Sequence, residues 1–299
     1  MKNILDLGTL RVIVAAADTG SISAAGNSLN LAVAAASARI SAVEEAMGFR
    51  IFERSPRGVR VTPNGHILVE RSRRLIADSD RLSRDMQEYG KGIEGHVQVL
   101  ANSSSLLEVI PQVLNDFSRR NPRIQVEIEE SSSPETQSAI LKGLVDVGIV
   151  DVPMKMRGLR FERFFTDHLV IVVNDQHRLA NRDEIHLAEV LDEDFIALIE
   201  STALSVRLAM SASSADKPLR VVMRMRSFDA VTRMVAAGLG IGMLPVEAIR
   251  PQLATLPLKA IRLQDSWATR VHRIATRNDH PVSPAARTFI EALRTVQKG

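Results

Sequence analysis

The stretch SISAAGNSLNLAVAAASARISAVEEAMGFRIFERSPRGVRVTPNG, residues 21 to 65, decides the reading of the N-terminal part of this chain. Its apolar positions recur at helical spacing and its breaks fall at capping residues. Ser21 or Ser23 can cap a helix from about Ile22 to Leu29, because a serine oxygen accepts from an orphan N–H at a helix start. Asn30 and Leu31 make a tight turn. A third helix then runs from about Ala32 to Met47, with Val33, Ala36, Ile40, Val43 and Met47 on one side, and Gly48 stops it. Upstream, Leu7, Leu10, Ile13, Val14 and Ala17 form the buried stripe of a first helix that Gly20 ends. Two helices joined by a three- or four-residue turn, followed by a hairpin carrying Arg54, Arg57 and Arg60 around a Pro56 to Gly58 turn, predict a winged helix-turn-helix. The second helix of such a pair can enter a major groove while the wing grips phosphates, so the expected partner is duplex DNA.

Composition bounds the alternatives. A chain of 299 residues that is 45% hydrophobic can bury a sizeable core and divides into two or three units. A formal charge of +3 argues little by itself, and its placement on the wing carries the point. Aromatic residues make up only 4%, with one Trp and one Tyr, which argues against a stacking platform for single strands. There is no cysteine, which excludes disulfides, thiolate metal sites and cysteine redox switches and fits an intracellular protein. Asp6 and Arg11 interrupt the N-terminal apolar stretch, so a signal peptide is not expected. No run approaches the roughly 20 apolar residues that span a bilayer, and the expected location is the cytoplasm.

Farther along, Asn64 to Tyr89 reads as a long helix with Ile67, Leu68, Leu75, Ile76, Leu82 and Met86 as an apolar seam. A lone helix of this kind needs a partner, either a second copy or its own domain. GKGIEG, residues 90 to 95, breaks the pattern and marks a hinge. From Val97 onward strands and helices alternate. Strands are expected at 97–101, 124–130, 145–150, 169–173, 195–198, 221–226, 241–244 and 268–275, with helices at 106–119, 135–143, 203–212, 228–237 and 284–296. This is the βαβ pattern of a parallel sheet. Serine and threonine mark its strand-to-helix junctions: Ser103 to Ser105, Ser131 to Ser133, Ser201 with Thr202, and Ser227 before Phe228. Ligands of open α/β sheets bind outside the carboxyl ends of the strands, where helix N-termini offer free N–H groups. Singly, each hydroxyl reads as a helix cap; together, in two facing lobes, they predict an anion-friendly cleft.

The ordered series AAGNSL, ARISAVEEAMG, FRIFERSPRGVRVTPNG, DVGIVD, HRLA at His177 to Ala180 and SFDAVTRMVAAGLGIGMLP resembles the LysR-type transcriptional regulators across essentially the whole chain. The resemblance implies an α/β protein with a helix-rich winged helix-turn-helix over 1–62, a dimerising linker helix and hinge over 63–92, and an effector-binding domain over 93–299. That domain is similar to the type 2 periplasmic binding proteins, with lobe one at 93–161 plus 267–299 and lobe two at 162–266. It implies promoter DNA contacts from Ser23, Val33, Ala34, Ser37, Arg39, Arg54, Arg57 and Arg60. It also implies effector contacts from Ser103, Ser104, Ser133, Thr202 and Phe228, with a small polar effector such as a carboxylate, a homodimer or homotetramer, and no cofactor. Lacking cysteine, the chain cannot use the peroxide-sensing mechanism that depends on a cysteine pair.

One departure stands out. Where the family opens its third helix with a Ser-Gln-Pro-like triplet, this chain has Ala32, Val33 and Ala34, then Ala35 and Ala36. A bidentate base contact supplies roughly 1–3 kcal/mol of discrimination, so this helix should read bases weakly and lean on DNA shape and arginine contacts. The alternative is that the alanine run is only a good helix former at little-exposed positions.

Other chemistry is poorly supported. Gly238, Gly240 and Gly242 follow a helix and enter a strand, the reverse of a nucleotide loop. His168, His177 and His186 lack one-turn spacing for a metal, and Asp192 to Asp194 reads as a solvated loop. No G-x-S-x-G elbow or other catalytic constellation occurs, so an enzyme is not expected. A solute-binding protein of a transport system remains the alternative, favoured by the lobes and opposed by the first ninety residues.

Overall fold

The computed structural model describes residues 4–55, 58–89, 95–151, 157–200, 202–213 and 219–295. The chain forms two compact units: residues 1–95 with 141–144, and residues 96–140 with 145–299.

In the first unit α1 (Leu7–Thr19), α2 (Ile22–Ser28) and α3 (Val33–Met47) precede a hairpin of β1 (Phe52–Ser55) and β2 (Gly58–Val61), and α4 (Pro63–Tyr89) follows. Local chemistry sets these limits. Asp6 caps α1 by accepting from Thr9 N at 2.8 Å. Gly20 closes α1 in the left-handed region, and Ser21, rather than Ser23, caps α2 through Ala24 N. Asn30 takes a positive φ of 54° in the α2–α3 turn, which an asparagine tolerates well. The core gathers Val12, Ile13, Ala16, Ala25, Ala36, Ile40, Val43, Ile51, Phe52 and Val69. Val33 and Met47, expected on the buried side of α3, instead stand exposed at its ends; the buried side is Ala36, Ile40, Val43 and Glu44. Glu44 is buried because its Oε1 accepts from Ile51 N at 2.8 Å and Phe52 N at 3.1 Å, fixing the entry to the hairpin.

The α4 seam divides in two. Val69, Ser72 and Ala77 are buried, and ion pairs Arg11–Asp80 and Arg73–Asp18 tie this helix to α1. Ile67, Leu75, Leu82 and Met86 are left between 57% and 61% exposed. The expected hinge at 90–95 lies outside the described residues except for Gly95.

The second unit contains β3 (Gly95–Ala101, whose first residue belongs to the first unit), α5 (Ser103–Glu108), α6 (Ile110–Arg120), β4 (Ile124–Glu130), α7 (Ser133–Lys142), β5 (Val147–Val150) and β6 (Leu159–Asn174). It continues through β7 (Glu184–Ile185), β8 (Phe195–Leu198), α8 (Ala203–Ser213), β9 (Val221–Met225), α9 (Phe228–Ala236), β10 (Gly242–Pro245), α10 (Arg250–Thr255), β11 (Leu258–Leu263), β12 (Thr269–Arg277) and α11 (Pro284–Thr295). The helix expected over 106–119 is two helices. Pro111 has no N–H to donate and its ring crowds the carbonyl one turn back, so the chain breaks at Val109 and restarts with Pro111 in the first turn of α6.

The sheet is mixed, not parallel. Its order is β4-β3-β5-β12-β6-β11-β7, with β10 also pairing β6, while β8 and β9 form a separate parallel pair. β3 and β5 are parallel, but β6 is antiparallel to β10, β11 and β12. The expected five-residue strand at 169–173 is the end of the sixteen-residue β6. Phe164 of β6 packs in a first core with Val97, Val99, Phe117, Ile149 and Phe289; Leu169 to Val173 pack in a second with Phe195, Ile196, Val231 and Ile261. The chain thus passes from one lobe to the other inside a strand, and residue 162 lies within that strand.

Candidate functional site

The helix-turn-helix presents an almost bare surface. Ala32, Val33, Ala34, Ala35, Ser37 and Ala38 are exposed along the first turns of α3, as is Ser23 on α2. Arg39 is half-buried against the start of α1. Hydrogen bonds from Thr9, helped by the Arg39 charge, hold Asp6 below the usual carboxylate range, and a Cβ on Gly8 would lie 2.9 Å from Arg39 Nη1. In the wing, Arg60 pairs across the ladder with Glu53, and Arg54 with Val59. Successive strand residues face opposite sides, so the exposed Arg54 and Arg60 do not share a face. Arg57 lies outside the described residues. The wing is anchored by Val59 N, which donates to Gly20 O at 2.8 Å.

In the second unit the β6–β12 ladder carries a β-bulge. Val271 pairs with Thr166 and Arg273 with Arg163, so Phe164 and Phe165 together oppose the single His272. The Phe165 ring stacks on His272 at 4.1 Å. Past the bulge, Asp167 on β6 and Arg270 on β12 are paired residues of the ladder and are both almost fully buried. Arg270 Nε donates to Asp167 Oδ1 at 2.8 Å and Nη2 makes a second bond to Oδ2. Arg270 Nη2 also donates to Ser104 Oγ at 2.7 Å. His272 Nε2 lies 3.0 Å from Asp167 Oδ2, and Asn102, the cap of α5, sits 3.1 Å from His272 Nδ1.

A second carboxylate, Asp151 at the end of β5, completes the cluster. Ser133 Oγ donates to Asp151 Oδ1 at 2.7 Å, while Oδ2 lies 3.6 Å from Arg270 Nη1 and 3.8 Å from Arg207 Nη2 of α8. Burial raises the Asp167 carboxyl, but the His272 hydrogen bond and the Arg270 charge together hold it below its ordinary value. Glu108 behaves oppositely. Burial first, then the Asp167 and Glu247 charges against a lowering by Arg270, push it up to about 8.

Each expected effector residue has a definite place. Ser104 and Ser133 enter this network, joined through Arg270 and Asp151. Ser103 Oγ donates to Glu130. Thr202 is the cap of α8, accepting from Ser205 N at 3.2 Å, five residues before Arg207. Ser132 forms a capping box with Glu135 at the start of α7. Phe228 is packed in the second core behind its cap Ser227. Ser201 lies outside the described residues. Sequence reasoning did not single out Asp151, Asp167, Arg207, Arg270 and His272. The signal for two of them was Arg270 and His272 two apart in a strand, hence on one face, and it is blunted by Arg273 and Arg277 in the same strand.

The family model for the LysR substrate binding domain matches residues 90–298, and that for the bacterial regulatory helix-turn-helix protein of the lysR family matches residues 7–66. The chain belongs to the LysR family of transcriptional regulators. The family's two parts account for the order seen here, a helix-turn-helix followed by a two-lobed effector domain. Among curated relatives, the chain is 28% identical to the uncharacterized HTH-type transcriptional regulator YwbI of Bacillus subtilis, covering 97% of this chain and 96% of that one. It is 25% identical to a probable RuBisCO transcriptional regulator of Cyanophora paradoxa, covering 97% and 91%. Its fold is similar to that of a full-length OxyR variant from Pseudomonas aeruginosa, with a TM-score of 0.66 at 21% identity over 97% and 95% of the two chains. Full-length CbnR complexed with its target DNA gives a TM-score of 0.61 at 17% identity over 97% and 99%. The effector-binding domain of QuiR in complex with shikimate gives 0.60 at 19% identity over 68% of this chain and 98% of that one. Among the described residues no helix is long and apolar enough to cross a membrane.

Proposed function

We propose that this LysR-family regulator works in the cytoplasm as a homodimer, or as a pair of dimers, that binds promoter DNA and answers to a small polar effector held between its lobes. Ser23, Val33, Ala34 and Ser37 form the groove-facing surface, with Arg39 at its edge, and Arg54, Arg57 and Arg60 contact phosphates. A surface this poor in hydrogen-bonding side chains supplies modest base readout and leaves site choice to DNA shape. The exposed apolar residues of α4 pair the subunits. In the effector domain, Ser103, Ser104, Ser133 and Thr202 line the cleft, with Phe228 supporting it from the core.

The observation that carries the reading is the buried cluster of Arg270, Asp167 and Asp151, with the half-buried Arg207 at its edge. It draws charged side chains from both lobes to Ser104 and Ser133. An effector that binds the two lobe arrangements unequally shifts their populations, and the dimer then bends or spaces its DNA differently. The test is a gel-shift assay with the DNA upstream of the protein's own gene. Retention with preference over random competitor supports regulation; retention only at very low salt and without sequence preference contradicts it.

A further inference from the structure

The charges of the cleft are already balanced from within. Asp151 and Asp167 face Arg207 and Arg270, and both guanidinium groups stand within 4 Å of a carboxylate oxygen. The hydrogen bonds are not balanced. Asp151 is nearly fully buried, yet no described residue hydrogen-bonds its Oδ2, and the nearest cations lie at 3.6 and 3.8 Å, too far to donate well. Arg207 Nε is likewise buried with no acceptor among the described residues. The acceptor on Asp151 and the donor on Arg207, whose Nη2 lies 3.8 Å from that acceptor, each carry the desolvation cost of an unmade hydrogen bond.

We propose that the cleft takes a small hydroxylated molecule, one hydroxyl of which donates to Asp151 Oδ2 while an oxygen of the same molecule accepts from Arg207 Nε. This rests on the cleft being the effector site. Other classes fit the pair less well. A plain carboxylate brings no donor and sets like charge against Oδ2. An ammonium group would donate, but it would sit between two guanidinium groups. A hydroxyl carries a donor and an acceptor on one atom and adds no charge to a neutral cluster. Neutral polyols and hydroxy acids both carry such a hydroxyl, the acids with a carboxylate charge that the polyols lack, and the test separates them.

Isothermal titration of the full-length protein with matched probes decides the matter: lactate beside propionate, shikimate beside cyclohexanecarboxylate, and myo-inositol as the neutral polyol. At least one hydroxylated probe should bind about tenfold or more tighter than its unhydroxylated match, the effect of one hydrogen bond to a charged group. Asp151→Asn should erase that preference, and Arg207→Lys, the gentler change, should reduce it. Binding by inositol assigns a polyol, and binding by lactate or shikimate alone assigns a hydroxy acid. The hydroxyl assignment is overturned if the plain acids bind as tightly as their matches, or if no hydroxylated probe binds at millimolar concentration. A plain acid whose binding is lost in Ser104→Ala would leave the cleft intact while removing the hydroxyl. Hydroxylated probes whose affinity is unchanged in Asp151→Asn, Arg207→Lys and Ser104→Ala would overturn the cleft as well.

Discussion

Arg270 clamps Asp167 through two hydrogen bonds across adjacent strands, with side-chain exposures of 4% and 0%. Removing one member of such a pair leaves the other as a buried, uncompensated charge. Arg270→Met is expected to destabilise the effector domain by about 3–5 kcal/mol, and Arg270→Met with Asp167→Asn together should recover part of that loss. Thermal unfolding followed by circular dichroism reads both. A single-variant loss below about 1 kcal/mol would mean that the clamp is not held in solution.

Glu108 gives a pH dependence with a definite sign. Its folded pKa of about 8 lies above its ordinary value of 4.5, so the native state binds the extra proton. The contribution is fully present below about 4.5 and is lost as pH rises through 8. Glu108→Gln should flatten the fall in melting temperature between those limits, and the variant should be the more stable protein at pH 9. Parallel melting curves for the two proteins from pH 5 to 9 would remove Glu108 as the source of any such fall.

The exposed apolar side of α4 is the surface proposed to pair two subunits. Leu75→Glu with Leu82→Glu places two charges on a surface that is already exposed in one subunit, so the subunit should still fold. Sedimentation should show monomer where the parent protein is a dimer, and half-site DNA binding should weaken accordingly. An unchanged dimer would move the interface elsewhere.

The wing depends on one glycine. Gly58 has φ +129°, and a Cβ there would overlap the carbonyl oxygen of Gly20. Gly58→Ala therefore costs about 1–3 kcal/mol locally and pulls Val59 off its anchor on Gly20. DNA affinity should fall about tenfold, equivalent to about 1.4 kcal/mol, while ligand binding by the effector domain stays unchanged. Equal DNA affinity in parent and variant would show that the hairpin position does not matter.

Helix-forming signals were the most legible part of the sequence. Periodicity located α1, α2 and α3 to within a residue or so, because Gly20, Ser21 and Gly48 announce their ends in local chemistry. The strand signal failed where tertiary pairing governs. The charged run Arg160 to His168 does not look like sheet, yet it extends β6 by most of its length because β12 lies alongside it. Leu258 to Leu263 does not alternate strictly, with Ala260 and Ile261 side by side, and β11 is not among the strands expected from the sequence. The serines were visible at their junctions, but whether each caps a helix or meets a charged partner is a matter of distances between strands far apart in sequence. For the same reason Asp167, embedded between Thr166 and His168, gave no hint of Arg270 some hundred residues on.

The unbroken passage of β6 through both cores, with β12 paired along its first ten residues, limits how the two lobes can move. A loop hinge could swing freely, but a hydrogen-bonded two-strand ribbon yields mainly by twisting, and its weakest point is the bulge at Phe164, Phe165 and His272. A domain joined in this way is expected to yield through small twists of a spring rather than through the opening of a gate.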